Sequence, residues 1–422
     1  MQDLIIGENV VEKYNVDLGE AKQDPMKIPN KIGDFKSLFE IYFDQDEMKW
    51  INWFNTVERY HVDKDMSYLQ LSIPTIDSIR MNNICKTLLL NDKHCLLVGP
   101  TGTGKSVSLN QLLKDNFDNE QWAYFPIGFS AQTSANQTEN IIDGKMEKKR
   151  KGVYGPALGK EGVIFVDDLN MPMKQRYGAQ PPIELLRQWM DYQGWYDINI
   201  PERDFRKLVN VRFAAAMGPP GDGRNSISSR YIRHFNVIYV EPYSDDSLKN
   251  IFSTIMDWFF IAKNVPPFGE SVKSMKDSVV SNTIYIYKET MKRFRPTPAK
   301  SHYTYNLRDV SKVFQGIAKS NARAIGKDDD MVKLWAHECM RVFQDRLISI
   351  EDRETFTDMI KETMKDKFKK EWSSIVKVEP LLFGSFVPLV YPDGDKTKKP
   401  FQDIYCELND NEKVKKYAND GL

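Results

Sequence analysis

A chain of 422 residues is longer than one hydrophobic core organises, so two or three domains are expected. Its 41% hydrophobic and 12% aromatic residues exclude a disordered polypeptide. The 59 Lys and Arg offset 59 Asp and Glu, and a net charge of zero argues against a dedicated nucleic-acid or polyanion binder.

The N-terminal residues 1–8 lack the basic and apolar regions of a signal peptide. No apolar run is long enough to span a bilayer, so neither membrane nor nucleic acid is an expected partner. Cys85, Cys95, Cys339 and Cys406 show no paired spacing and read as reduced, structural thiols in a cytosolic setting. His61, His94, His234, His302 and His337 show no zinc-ligand spacing.

In chain order, residues 1–30 are polar, contain Pro25 and Pro29, and read as a linker or extended arm. Aromatics then crowd together at Phe39, Tyr42, Phe43, Trp50, Trp53 and Phe54, as in an arm packed on a main domain. A short extended segment, 73–79, precedes a helix running to Leu90; Ile73 and Thr75 are placed to line an adenine pocket.

The stretch that organises the chain follows. Leu96-Leu97-Val98 reads as a buried strand and 107–113 as a helix. Between them Gly99-Pro100-Thr101-Gly102-Thr103-Gly104-Lys105-Ser106 forms G-x-x-x-x-G-K-S. Its glycines let backbone N–H groups point inward at a polyphosphate, beside the positive end of a helix. Lys105 can reach the β- and γ-phosphates of ATP, and the Ser106 hydroxyl can hold Mg²⁺. A glycine-rich turn with no ligand is the weaker alternative.

Beyond the loop, strands are expected at 122–129, 163–166, 211–217 and 237–240, with helices at 133–151 and 183–190 between them. Continuous apolar strands alternating with helices predict an α/β fold, a parallel sheet covered on both faces. From Pro242 the pattern is helical, at about 245–262, 271–293, 306–320, 331–347 and 353–368, with Pro296 and Pro298 breaking the second from the third. Residues 378–422, with Pro380, Pro388, Pro392 and Pro400, read as the start of a further element.

Three groups of charged residues stand out. The strand 163–166 runs into Asp167 and Asp168; the first is placed for the Mg²⁺ shell and the second for polarising an attacking water. Arg230 and Arg233 lie three apart on one helical face, suited either to surface ion pairs or to reaching a phosphate across a subunit boundary. Arg308, at the start of a lid helix, is either solvated or a γ-phosphate sensor. The basic run 147–151 reads as a solvated helix end rather than a nucleic-acid site.

These parts in this order resemble an AAA+ P-loop module: a parallel sheet flanked by helices, followed by an all-helical lid. Residues 129–138 (FSAQTSANQT), 165–172 (FVDDLNMP), 177–189 (YGAQPPIELLRQW), 216–221 (AMGPPG), 230–234 (RYIRH) and 297–309 (TPAKSHYTYNLRD) are similar, more specifically, to the third AAA+ module of axonemal dynein heavy chains.

The resemblance implies an arm over 1–70, a nucleotide-binding domain over 71–243, a lid over 244–350, and an extension over 351–422 that ends as a fourth module begins. It implies ATP or ADP with Mg²⁺ as ligands, and neighbouring ring modules as partners. Intermediate and light chains and microtubules would engage parts outside this chain, in the axoneme of a cilium or flagellum, within a single-headed inner-arm motor. Arg230 and Arg233 would be fingers for the second module's site, while this site's own finger would come from the fourth, leaving an isolated chain nearly inactive.

Two departures bear on chemistry: the sensor position at the strand end is Gly218, and the second acid is Asp168 rather than Glu. Both weaken hydrolysis more than binding. A regulatory nucleotide site is therefore the expectation, with a hydrolysing site and a structural spacer (empty or permanently ADP-filled) as alternatives.

Overall fold

The structure is a computed structural model that describes residues 40–44, 48–53, 63–115, 117–197, 204–221, 223–262, 267–385, 405–408 and 415. The expectations for residues 1–30, for His61, Phe39 and Phe54, and for Pro388, Pro392 and Pro400 lie outside these. The chain divides into two units, one of residues 1–61 with Pro74–Ile84, the other of Val62–Ile73 with Cys85–Leu422.

In the first unit, β1 (Ile41–Asp44) and β2 (Lys49–Asn52) form an antiparallel hairpin. Its aromatics pack on one another: the Tyr42 and Trp53 rings stack at 4.3 Å, and Phe43 meets Trp50 edge-on at 5.5 Å. Thr75 precedes the helix Ile76–Leu90, and its hydroxyl accepts from the Ser78 N–H at 3.2 Å.

The second unit is built on a five-stranded parallel sheet. Its members are β3 (His94–Val98), β4 (Trp122–Gly128), β7 (Glu161–Asp167), β10 (Val211–Met217) and β11 (Phe235–Tyr239), in the order β11-β3-β10-β7-β4. Cys95, Leu96 and Leu97 of β3 and Phe213, Ala214 and Ala215 of β10 have no solvent exposure. That is why these runs are apolar without alternation: helices cover both faces. Helix Lys105–Asp115 buries Leu109, Leu112 and Leu113, and helix Pro181–Tyr192 buries Ile183, Leu186 and Trp189.

One expected helix is corrected. The helix anticipated over 133–151 spans only Ala135–Asp143, opened by a Ser134–Gln137 capping box and closed at Gly144. The basic run then forms β5 (Glu147–Arg150), wholly exposed and paired antiparallel with β6 (Val153–Gly155). The intervening Gly152 adopts φ +71°, which a hairpin turn requires and a helix forbids. With β8 (Gly194–Tyr196) and β9 (Phe205–Leu208), which the sequence reading did not anticipate, these strands make a second sheet in the order β5-β6-β9-β8.

The helical region begins at Asp245–Ala262. The helix expected over 271–293 is divided into Glu270–Lys273 and Lys276–Arg293. Leu307–Ile317 follows, then Asp328–Cys339, which starts three residues early because Asp328, Asp329 and Asp330 suit the positive end of a helix. It continues as a π-turn, Met340–Gln344, before Ile350–Lys367 and Trp372–Ile375. One apolar core runs through this region from Leu248 to Phe383. At the end, β12 (Phe383–Gly384) pairs antiparallel with β13 (Cys406–Glu407).

All four cysteines are free and buried. Among the described residues no helix is long and apolar enough to cross a membrane.

Candidate nucleotide site

The phosphate loop leaves β3 at the carboxyl edge of the sheet, where ligands bind in open α/β folds. A Cβ on Gly99 would lie 2.2 Å from the Val240 carbonyl oxygen, and one on Gly104 would lie 2.4 Å from the Tyr243 hydroxyl. A side chain at 99 would therefore force the loop off the segment joining sheet to lid, whereas one at 104 would displace the tip of the Tyr243 side chain. Gly102 and Gly104 also adopt φ +86° and +76°, turning the backbone so that the loop can wrap.

Lys105 opens its helix and is buried. Its ammonium donates to the Gly99 and Pro100 carbonyls at 2.7 and 2.6 Å and to Thr103 Oγ1 at 3.1 Å. Burial, and after it the nearby Arg224 charge, bring its pKa down to about 8 against the opposing pull of Asp167 and Asp168; Arg308 adds to the lowering. The position is thus short of negative charge, and an anion in the loop would stabilise the protonated lysine.

Ser106 Oγ donates to Asp167 Oδ1 at 2.7 Å. β3 and β7 are separated by β10, so this bond spans two strand intervals and joins the loop to the acid at the end of β7. A hydroxyl and a carboxylate held this close can supply two of the oxygens of a hard-cation site. Among the described residues no cluster of three or more His, Cys, Asp or Glu could hold a metal. A Mg²⁺ ion here would therefore take its other oxygens from phosphate and water, as Mg²⁺ usually does. The donor set fits that ion.

Asp168 sits at φ +52°, in the left-handed region that Asp tolerates better than most residues, and its N–H donates to Asp167 Oδ1 at 3.0 Å. Its carboxylate is half-exposed and faces Arg224, 3.6 Å from the nearest guanidinium nitrogen.

Residues 60–243 match the family described as P-loop containing dynein motor region, and residues 279–376 match the AAA+ lid domain. Dynein axonemal heavy chain 1 of Homo sapiens is 39% identical over 381 residues, covering 89% of this chain and 9% of its own length. Dynein axonemal heavy chain 12 of Mus musculus is 42% identical over 330 residues, covering 78% of this chain and 10% of its own. Dynein axonemal heavy chain 3 of Homo sapiens is 40% identical over 393 residues, covering 89% and 9%. This chain belongs to the dynein heavy-chain family. It spans about a tenth of the length of these relatives.

In this dynein module the lid meets the phosphate loop directly. A Cβ on Gly102 would lie 3.1 Å from the Leu307 nitrogen, so the start of helix Leu307–Ile317 rests on the loop. That helix is fixed by Asn306, whose side chain accepts from the Arg308 N–H at 2.9 Å, and by Asp309, which accepts from the Asn306 N–H at 3.1 Å. Arg308 is exposed at this junction.

The two candidate finger arginines differ. Arg230, in the short helix Ser229–Ile232, is exposed. Arg233 is engaged by Asp191 at 3.0 Å, an acid also paired with Arg187 and His234. The two adenine-pocket candidates are separated by their surroundings: Ile73 packs half-buried against the helical core, whereas the Thr75 hydroxyl serves as a helix cap.

Sequence reading missed Arg224, Asn170 and Tyr243. Asn170 is fully buried and donates to the Gly218 carbonyl at 2.7 Å, holding the end of β10. The one sequence signal for Arg224 was the absence of a polar side chain at Gly218, followed by a glycine-rich turn.

His94, at the start of β3, gives a pH prediction. Its Nδ1 accepts from the Phe213 N–H at 3.1 Å, and the rings of Trp189, Phe213 and Phe235 surround it. Burial first, then the charges of His234 and Arg212, lower its pKa to about 4, against the raising effect of Asp92. The folded value lies below the unfolded one, so this contribution is complete above pH 6.5 and is lost as pH falls toward 4. The loss amounts to roughly 3 kcal/mol. Denaturant titrations across that window should show a shallower decline in a His94→Asn variant, whose amide oxygen can still accept from Phe213. Parallel declines would refute this.

Proposed function

We propose that this chain is the third AAA+ module of an axonemal dynein heavy chain, binding Mg·ATP or Mg·ADP at a site that regulates the motor. The observation that carries the nucleotide reading is the Ser106–Asp167 hydrogen bond beside Lys105. It joins the loop that would hold a polyphosphate to the acid that would share its Mg²⁺. The module number rests on the stretches 129–138, 165–172, 177–189, 216–221, 230–234 and 297–309. Microtubules, associated chains and axonemal location belong to the longer protein of which such a module is one part.

Regulation is favoured over rapid turnover for two physical reasons. Asp168, the residue placed to polarise water, is one methylene shorter than Glu. Gly218 offers no side chain to orient that water.

Calorimetric titration with ATP should detect binding that strengthens about tenfold on adding Mg²⁺, and Ser106→Ala should abolish the magnesium effect. Absence of binding at millimolar ATP would sink the assignment. In an assembled ring, Asp168→Asn should leave ATP turnover unchanged; a fall would restore the hydrolysing reading. ADP released on denaturing the purified protein would favour the spacer.

A further inference from the structure

After β10 the chain makes a turn closed by paired backbone hydrogen bonds between Gly221 and Arg224, at 3.1 and 2.9 Å. The turn is tied down on its far side, where Asn225 donates to the Pro172 carbonyl at 2.9 Å and Lys174 donates to Ser226 Oγ at 2.7 Å. From this fixed base the Arg224 side chain runs back across Gly218. A Cβ on Gly218 would lie 2.6 Å from both Cδ and Nε of Arg224 and 2.8 Å from Cζ. The guanidinium therefore occupies the space that a side chain at the end of β10 would fill.

At its tip, one nitrogen donates to Thr101 Oγ1 of the phosphate loop at 2.8 Å and another faces Asp168 at 3.6 Å. Nε is buried with no hydrogen-bond partner. The side chain is one-fifth exposed, so its charge is held in place by a largely enclosed setting. A partly exposed guanidinium with a loose ion pair, its tip resting on Thr101 of the phosphate loop, is placed to accept a further anion.

We propose that Arg224 recognises the terminal phosphate of a bound nucleoside triphosphate from within the same chain, taking the place of the missing side chain at Gly218. The inference rests on the nucleotide reading of the loop and adds discrimination between triphosphate and diphosphate. Arg224 is a binding residue in this scheme. Its engagement with phosphate competes with its pairing to Asp168, so the acid is released only in the triphosphate state.

The test uses the whole chain and two probes, MgADP and the magnesium complex of the non-hydrolysable β,γ-imido analogue of ATP, titrated by calorimetry. Arg224→Ala should weaken the triphosphate analogue about ten- to a hundredfold and leave MgADP within about twofold. Gly218→Ala should reproduce that selective loss, because its methyl evicts the arginine. The double variant should be no worse than either single one, since both act through one group.

Equal loss of both ligands, or of neither, overturns the proposal while the nucleotide assignment stands. Failure of the unaltered chain to bind either probe overturns both together. Should Arg224→Ala not fold, Arg224→Lys and Gly218→Ala carry the same comparison.

Discussion

Lys105→Ala is expected to abolish measurable nucleotide binding while the parallel sheet stays folded. The lysine ammonium is a buried positive charge held within the loop, and a polyphosphate would meet it through charge-assisted hydrogen bonds. Removing it should cost at least about 3 kcal/mol of binding, a hundredfold or more in affinity.

The fold should tolerate the change for three reasons. The sheet's core is made of Leu96, Ile164, Val166, Phe213 and Ala215, none of which depends on Lys105. Alanine has the highest intrinsic helix propensity, so the helix that Lys105 opens is not weakened. The lysine is also partly desolvated, as its lowered pKa near 8 reports, so the substitution relieves a cost as well as removing bonds. Far-ultraviolet circular dichroism and the thermal midpoint should match the parent protein while calorimetry shows no heat of binding. Unchanged affinity in a folded variant would count decisively against the site.

A second large effect is expected at Gly316, and its sign is opposite to the usual one. Replacing a glycine inside a helix by alanine normally stabilises by about 0.5–1 kcal/mol. Gly316 lies within helix Leu307–Ile317, yet a Cβ there would fall 1.8 Å from Oε2 of Glu338 and 2.1 Å from its carboxyl carbon.

Glu338 has no solvent exposure and little room to retreat. Its Oε2 accepts from Nε of Arg341 at 2.8 Å, and its Oε1 accepts from the Tyr405 hydroxyl at 2.6 Å. Tyr405 belongs to the segment that brings β13 to β12, and Ser320 Oγ donates to its carbonyl at 2.9 Å. A methyl group at 316 would thus push a buried carboxylate off its exposed Arg341 partner and off the Tyr405 hydroxyl, and loosen the 405–408 segment. Leaving a buried charged acceptor without its hydrogen bonds costs about 2–3 kcal/mol, which outweighs the helix-propensity gain.

Chemical denaturation should register Gly316→Ala as strongly destabilised, with the penalty largely vanishing when Glu338 is also alanine. A Gly316→Ala protein as stable as its parent would show that the carboxylate is not confined as described.

How far the sequence carried the site can be judged from particular residues. The glycine–lysine–serine loop and Asp167 were legible because each belongs to a contiguous local pattern: an apolar strand followed by fixed polar positions. The sheet was legible for the same reason, since Leu96-Leu97-Val98 and Val163-Ile164-Phe165-Val166 lack the alternation of a half-exposed strand. The second sheet was not. Glu147–Arg150 and Phe205–Leu208 are short and rich in basic residues; the first is a strand because it folds back on β6, and the second because it pairs with β8 on one side and with the distant β6 on the other. Helical periodicity in 135–143 was therefore extended too far, into a charged segment whose structure is decided by its partner.

The phosphate loop, the acid at the end of an apolar core strand, and a parallel sheet with a helical lid are legible in the sequence alone. Such features are written in neighbouring residues, whose backbone and burial preferences act over a few positions. Only the tertiary structure decided that Ser106 reaches Asp167, that the lid helix at Leu307 rests on the loop, and that Arg224 lies across Gly218. Those relations join residues far apart along the chain, and no local propensity encodes the distance between them. They are fixed by strand order and by which side chain can fill the space that a glycine leaves.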